Sequence, residues 1–159
     1  MTGAAVTRTE RVRTEITGLV VPVPEAERYA AHPHVTLLAP FGSRERADAA
    51  RLQNELRGFF ASVAPFEFTL MDVRQFPAGM YYLAPEPAER FRAITNALTM
   101  RYPDYPPYEG QFRDIIPHLT IDDDARPEQL PIAARATIAE LVHSHDTAWD
   151  VIARFPFTG

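Results

Sequence analysis

The tetrapeptide His34-Val35-Thr36-Leu37 has a near twin 84 residues further on, His118-Leu119-Thr120-Ile121. Each sits in a short apolar run, His34–Phe41 and Ile115–Ile121, whose composition predicts a strand. Strands have period two, so the His and Thr of each motif project to one face about 6–7 Å apart. Val35, Leu37, Leu119 and Ile121 then turn to the other face. Each motif presents an imidazole beside a hydroxyl. A single H-x-T on a strand is most often a hydrogen-bonded structural feature, whereas two copies on matching strands point to a shared task.

The surrounding chain reads as an α+β domain. Residues 1–14 form a polar, flexible lead-in, and residues 15–159 make a single domain opening with a strand at Glu15–Val23. Ser43 is placed to cap a helix in which Ala47, Ala50, Leu52, Leu56, Phe59 and Phe60 recur at helical spacing to about Ser62. Strands follow from Pro65 and over Met80–Ala84, then a second helix from Pro87 to Arg101. Pro127–Ile138, rich in Ala, is expected to be helical, and Ile138–His143 and Trp149–Phe155 finish as strands. His143 to Asp146 reads as a polar hairpin turn. The order strand, helix, strand, strand thus occurs twice, which implies two similar lobes rather than a doubly wound sheet.

Composition narrows the chemistry. The 159 residues are one domain's length, and 46% of them are apolar, enough for a substantial core. Sixteen basic against 21 acidic residues give a net charge of −5, the wrong sign for gripping a long duplex by counterion release. With no cysteine, thiolate nucleophiles, disulfides and Cys-ligated metals are excluded. All sixteen basic residues are arginine, which excludes Schiff bases, lysyl-adenylate ligation and a Walker A loop. The Ile16–Val23 stretch, broken by Thr17, Gly18 and Pro22, makes neither a signal peptide nor a membrane span. A cytoplasmic protein with no membrane partner is expected.

Two imidazoles and two hydroxyls around one pocket suit phosphodiester chemistry without a metal. One histidine deprotonates water or a ribose hydroxyl, and the other protonates the leaving oxygen. The threonine hydroxyls donate to non-bridging phosphate oxygens. No recognised spacing supplies further ligands for zinc, so neither metal nor cofactor is expected. Arg74 and Arg113 are candidates for a guanidinium contact to phosphate, and Phe41, Tyr82 and Tyr108 for stacking on a base. The spacings His32/His34 and His143/His145, and the run Asp122–Asp124, read as decoys for a metal site.

The chain resembles the two-histidine (2H) phosphoesterases, the 2'-5' RNA ligase and cyclic phosphodiesterase superfamily. The similarity runs from Val21-Pro22-Val23-Pro24, through His34-Val35-Thr36-Leu37-Leu38 and Pro40-Phe41, to Tyr108-Glu109-Gly110 and Pro117-His118-Leu119-Thr120. Trp149 and the closing Phe155-Pro156-Phe157 extend it. The resemblance implies a bilobal α+β fold with a pseudo-twofold axis, both motifs lining a central cleft. It implies His34 and His118 as the acid–base pair, His118 activating water and His34 acting as the acid, with Thr36 and Thr120 holding the phosphate. This chain departs from the pattern at Asp122-Asp123-Asp124, where relatives carry a basic residue, at Ala39, and in a shortened Pro24–His34 segment. Three acids beside a phosphate site repel a polyanion and favour a small cyclic phosphate over RNA ligation.

The expected function is metal-independent hydrolysis of a 2',3'-cyclic nucleotide, an RNA 3'-end cyclic phosphate or a 2'-5' phosphodiester by a monomeric enzyme. The competing readings are a 2'-5' RNA ligase, a binding module for nucleotides or RNA ends without turnover, and a metal hydrolase built around His143 and His145.

Overall fold

A computed structural model of the protein describes residues 15–110, 115–122 and 128–159. The expected lead-in 1–14, Arg113, Asp123 and Asp124 lie outside the described residues. Two antiparallel four-stranded sheets carry the fold. The first contains β1 (Glu15–Pro22), β2 (His34–Leu38), β7 (Ile138–His145) and β8 (Ala148–Pro156), ordered β2-β1-β7-β8. The second contains β3 (Phe66–Gln75), β4 (Tyr81–Glu86), β5 (Leu119–Thr120) and β6 (Ile132–Ala136), ordered β5-β4-β3-β6. The α-helices are α1 (Arg44–Asp48), α2 (Ala50–Ala61) and α3 (Glu89–Arg101).

The strand patterns follow from these positions. β1 lies between β2 and β7, and Thr17 and Leu19 to Val21 are buried on both its faces, which explains an apolar run in place of alternation. β2 is an edge strand and does alternate. Val35 and Leu37 are buried in the core, while His34 and Thr36 keep partial exposure on the other face. β5 is shorter than the expected Ile115–Ile121, because Pro117 has no N–H to extend the ladder and the Ile116 carbonyl is used by a side chain.

The helices cover the core. Ser43 caps α1 as expected, its hydroxyl accepting from the Arg46 N–H at 3.1 Å. The single helix expected over 43–62 is broken at Ala49, whose backbone is extended (ψ 130°). The Gln53 side chain donates to the Ala47 carbonyl at 2.9 Å, satisfying a group at the break. Leu52, Leu56 and Phe60 form the buried stripe of α2, and Phe60 packs against Phe155 and Phe157 at 5.8 and 5.6 Å between ring centroids. On α3, Phe91 meets Phe66 and Phe68 edge-on, and the Thr95 hydroxyl donates to the Leu37 carbonyl at 2.6 Å. One helix thereby joins β2 of the first sheet to β3 of the second.

Within the helix expected over Pro127–Ile138, of which Pro127 lies outside the described residues, Ile132–Ala136 is instead the strand β6 and Ile138 opens β7. Ala134 and Ala136 face Phe68 and Phe66 in register, and their small side chains leave room for the two rings. Tertiary packing overrides alanine's helical propensity here. Likewise His143 and His145 belong to β7, and the turn begins only at Asp146. The two lobes are interleaved in sequence. The β3–β4 hairpin, adjacent in sequence to the first motif, joins the sheet of the second, and β7–β8 return to the sheet of the first.

Candidate active site

The two motif strands hold equivalent places: β2 and β5 are each an edge strand of their own sheet, and the two edges lie against one another. Residues paired across antiparallel strands share a face. His34 therefore shares its face with Pro22, and Thr36 with Val20, Glu140 and Arg154. In the second sheet Thr120, Tyr82 and Arg74 form one row. Both rows lie opposite the faces that Val35, Leu37 and Leu119 bury in the core.

The histidines are held in the same way. His34 Nδ1 lies 2.6 Å from the His32 carbonyl oxygen, and His118 Nδ1 lies 2.7 Å from the Ile116 carbonyl oxygen. A carbonyl only accepts, so Nδ1 carries the proton in each ring and donates it. In the neutral ring Nε2 is then left with its lone pair. A proline stands between each acceptor and its histidine, Pro33 and Pro117, and fixes the local backbone.

The rings have different walls. His34 tilts against Trp149 at 4.7 Å, and Trp149 also stacks on His32 at 5.2 Å with the planes 5° apart. His118 meets Phe76 and Tyr82 edge-on at 4.9 and 5.6 Å, and those two rings stack on each other at 4.1 Å. Burial holds both imidazoles below the ordinary histidine value of about 6.5, partly offset by the backbone hydrogen bond each makes. For His34 the positive charges of His118 and His32 press in the same direction. Charge on one motif is thus felt at the other.

The remaining sequence candidates divide. Tyr82 lies beside His118 but is 6% exposed, its ring taken up by Phe76 and His118. Phe41 offers no face for a base: it is fully buried among Tyr102, Tyr105 and the Arg46 guanidinium. This corrects the expectation that it lines the site. Arg74 is exposed in the row of Thr120 and pairs with Asp72 at 3.3 Å. Tyr108 lies in a turn with Glu109 at φ 51° and 57°, its N–H donating to the Ala39 carbonyl at 2.7 Å. Burial raises its hydroxyl pKa. Sequence reasoning missed the surroundings of the motifs, namely Trp149, Phe76 and the His32 and Ile116 carbonyls. Proline before each histidine was the legible sign of the carbonyl clamps, whereas Trp149 comes from a distant strand.

The family model of the 2'-5' RNA ligase superfamily matches residues 9–153. The chain belongs to that superfamily. Its fold is that of the two-histidine phosphoesterases, as solved structures show. Escherichia coli LigT complexed with 3'-AMP superposes with a TM-score of 0.62 at 15% identity, covering 91% of this chain and 99% of LigT. LigT complexed with NADP+ matches at 17% identity and TM-score 0.62, covering 92% and 99% of the two chains. A Thermus thermophilus protein matches at 18% identity and TM-score 0.62, covering 90% and 98%. A comparison with curated proteins returns no match. Among the described residues of this superfamily member, no helix is long and apolar enough to cross a membrane.

Proposed function

We propose that the protein hydrolyses a small 2',3'-cyclic phosphodiester, a cyclic nucleotide or the cyclic end of an RNA, with His34 and His118 as the acid–base pair. The observation that carries this reading is the repeated clamp. Two imidazoles, one opening edge strand β2 and one just before the abutting edge strand β5, each have Nδ1 tied to the carbonyl two residues upstream and Nε2 left for proton transfer. Displacement at phosphorus puts the entering and leaving oxygens on opposite sides, and the two imidazoles stand beside edge strands of two different sheets. His118 Nε2 takes a proton from water as the water oxygen bonds to phosphorus. The bond from phosphorus to the ribose oxygen breaks, and protonated His34 delivers its Nε2 proton to that oxygen. Thr36 and Thr120 donate to the non-bridging oxygens, and Arg74, in the row of Thr120, neutralises the anion after exchanging Asp72 for phosphate. The complex of LigT with 3'-AMP supports a nucleotide as the class of ligand.

The test is turnover of the four 2',3'-cyclic nucleotides with and without EDTA, comparing the parent with His34→Ala and His118→Ala. Activity that survives EDTA and falls about 10²-fold or more in each variant is expected, the range for loss of a general acid or base. Binding without turnover contradicts the hydrolytic reading and leaves a nucleotide-binding module. Loss of activity in EDTA contradicts the metal-independent mechanism.

A further inference from the structure

The Thr120 hydroxyl of the second motif donates to the thioether sulfur of Met80 at 3.9 Å. Tyr82 is the cross-strand partner of Thr120, and Met80 stands two residues before Tyr82, so its sulfur reaches the threonine along the diagonal. The turn that presents this sulfur is tied down. The Phe76 N–H donates to the Met80 carbonyl at 2.9 Å, the Gly79 N–H to the Phe76 carbonyl at 2.8 Å, and the Gln75 side-chain amide to the Gly79 carbonyl at 3.0 Å. The Phe76 ring at the other end of the turn packs on His118 at 4.9 Å. One turn thus holds a thioether against the threonine and a ring against the histidine of the same motif.

A thioether is a weak acceptor, so it releases the hydroxyl to a phosphate oxygen at little cost. In a chain without cysteine, methionine is also the only sulfur that a peroxide can attack. Met80 is 41% exposed, which opens its sulfur to an oxidant. Met71 on β3 and Met100 on α3 are exposed as well, at 46% and 84%. Of the three described methionines, Met80 is the one bonded to a motif residue.

We propose that Met80 is an oxidation site that switches off the second motif: a hydroperoxide converts its thioether to the sulfoxide, which withholds the Thr120 hydroxyl from phosphate. With hydrogen peroxide, the sulfur gives an electron pair to one peroxide oxygen, the O–O bond breaks and the S–O bond forms. The second oxygen takes up the proton of the first and leaves as water. Sulfur is oxidised by two electrons and the peroxide reduced by two. The sulfoxide oxygen carries partial negative charge, so it accepts far more strongly than the thioether and repels the non-bridging oxygens of an incoming phosphate. The step is reversed by methionine sulfoxide reductases. The inference rests on the phosphate-holding role of Thr120 in the function proposed above and adds a means of regulating it.

The test treats the parent, Met80→Leu and Met71→Leu/Met100→Leu proteins with dilute hydrogen peroxide and follows each methionine by peptide mass spectrometry. Binding and turnover of 2',3'-cyclic AMP and the far-UV circular dichroism are measured before and after. In the parent, Met80 sulfoxide is expected to accumulate in step with a fall in kcat/KM of about ten- to a hundredfold, the range for losing one hydrogen bond to a charged group. The dichroism is expected to stay unchanged. Met71→Leu/Met100→Leu is expected to follow the parent, and Met80→Leu to keep the activity it has before treatment. Methionine sulfoxide reductase with dithiothreitol is expected to restore the oxidised parent.

Turnover that persists with Met80 fully oxidised, a loss of the same size in Met80→Leu, or a loss that tracks unfolding overturns the inference while leaving the hydrolytic reading intact. Binding of the cyclic nucleotide without turnover in the untreated parent overturns the hydrolytic reading, and a peroxide-dependent loss of that binding, absent from Met80→Leu, still upholds the inference. Neither binding nor turnover of any 2',3'-cyclic nucleotide in the untreated parent overturns both.

Discussion

At the scale of single residues, the decisive arrangement is an imidazole clamped at Nδ1 by a carbonyl two residues before it, built twice. The clamp fixes both tautomer and ring direction, and burial lowers the affinity of each ring for protons. The consequence for stability has a definite sign. Each folded pKa lies below the unfolded value of about 6.5, so the unfolded chain binds more protons as pH falls through that window, and the fold loses stability there. The drop in Tm between pH 7.5 and pH 5 is expected to be smaller in a His34→Asn/His118→Asn variant than in the parent. An equal drop in both would place the acid sensitivity in other groups. At this scale duplication singles out His34, Thr36, His118 and Thr120 in the sequence, and their catalytic role is the proposal made above. Phe41 was misread because an aromatic next to a motif looks the same in sequence whether it faces a cleft or, as here, Tyr102, Tyr105 and Arg46.

At the scale of elements, two helices hold the motif-bearing sheets in place. Phe60 anchors α2 on Phe155 and Phe157 and is fully buried. Phe60→Ala is expected to cost about 3–5 kcal/mol in denaturant unfolding, the range for a large ring removed from a core. The Thr95 hydroxyl on α3 is buried and bonds to the Leu37 carbonyl of β2. Thr95→Val keeps the shape and strands that carbonyl, at an expected cost of about 1–3 kcal/mol. A value within experimental error of the parent would show that the Leu37 carbonyl finds another partner. Strands and helices with strong periodicity, such as α2 and β7, were legible in the sequence, to within a break at Ala49. β6 was not, because an Ala-rich segment reads as a helix until the rings of Phe66 and Phe68 opposite it are known.

At the scale of the whole molecule, the two sheets are assembled from interleaved parts of the chain, and the motifs meet where edge strand β2 abuts edge strand β5. Motif duplication pointed to two lobes, but it held no information on which strands each lobe recruits. The β3–β4 hairpin crosses to the second motif and β7–β8 return to the first, which sequence order conceals because long-range strand pairing leaves no local pattern. That return brings Trp149 of β8 against His34 and so builds one wall of the proposed site. The proposed acid–base pair predicts a bell-shaped pH dependence. With both imidazoles below their ordinary value, the optimum of kcat/KM falls on the acid side of about 6.5. The acidic limb then reports protonation of the base, and the alkaline limb loss of the acid's proton.

The measurement that tests the central claim most directly is the pH dependence of kcat/KM for a 2',3'-cyclic nucleotide in the parent, His34→Ala and His118→Ala proteins. The account predicts a bell in the parent, loss of the alkaline limb in His34→Ala and loss of the acidic limb in His118→Ala, with activity much reduced in both. The same two-limbed bell persisting in either variant would contradict it, because the missing imidazole would then be neither the acid nor the base.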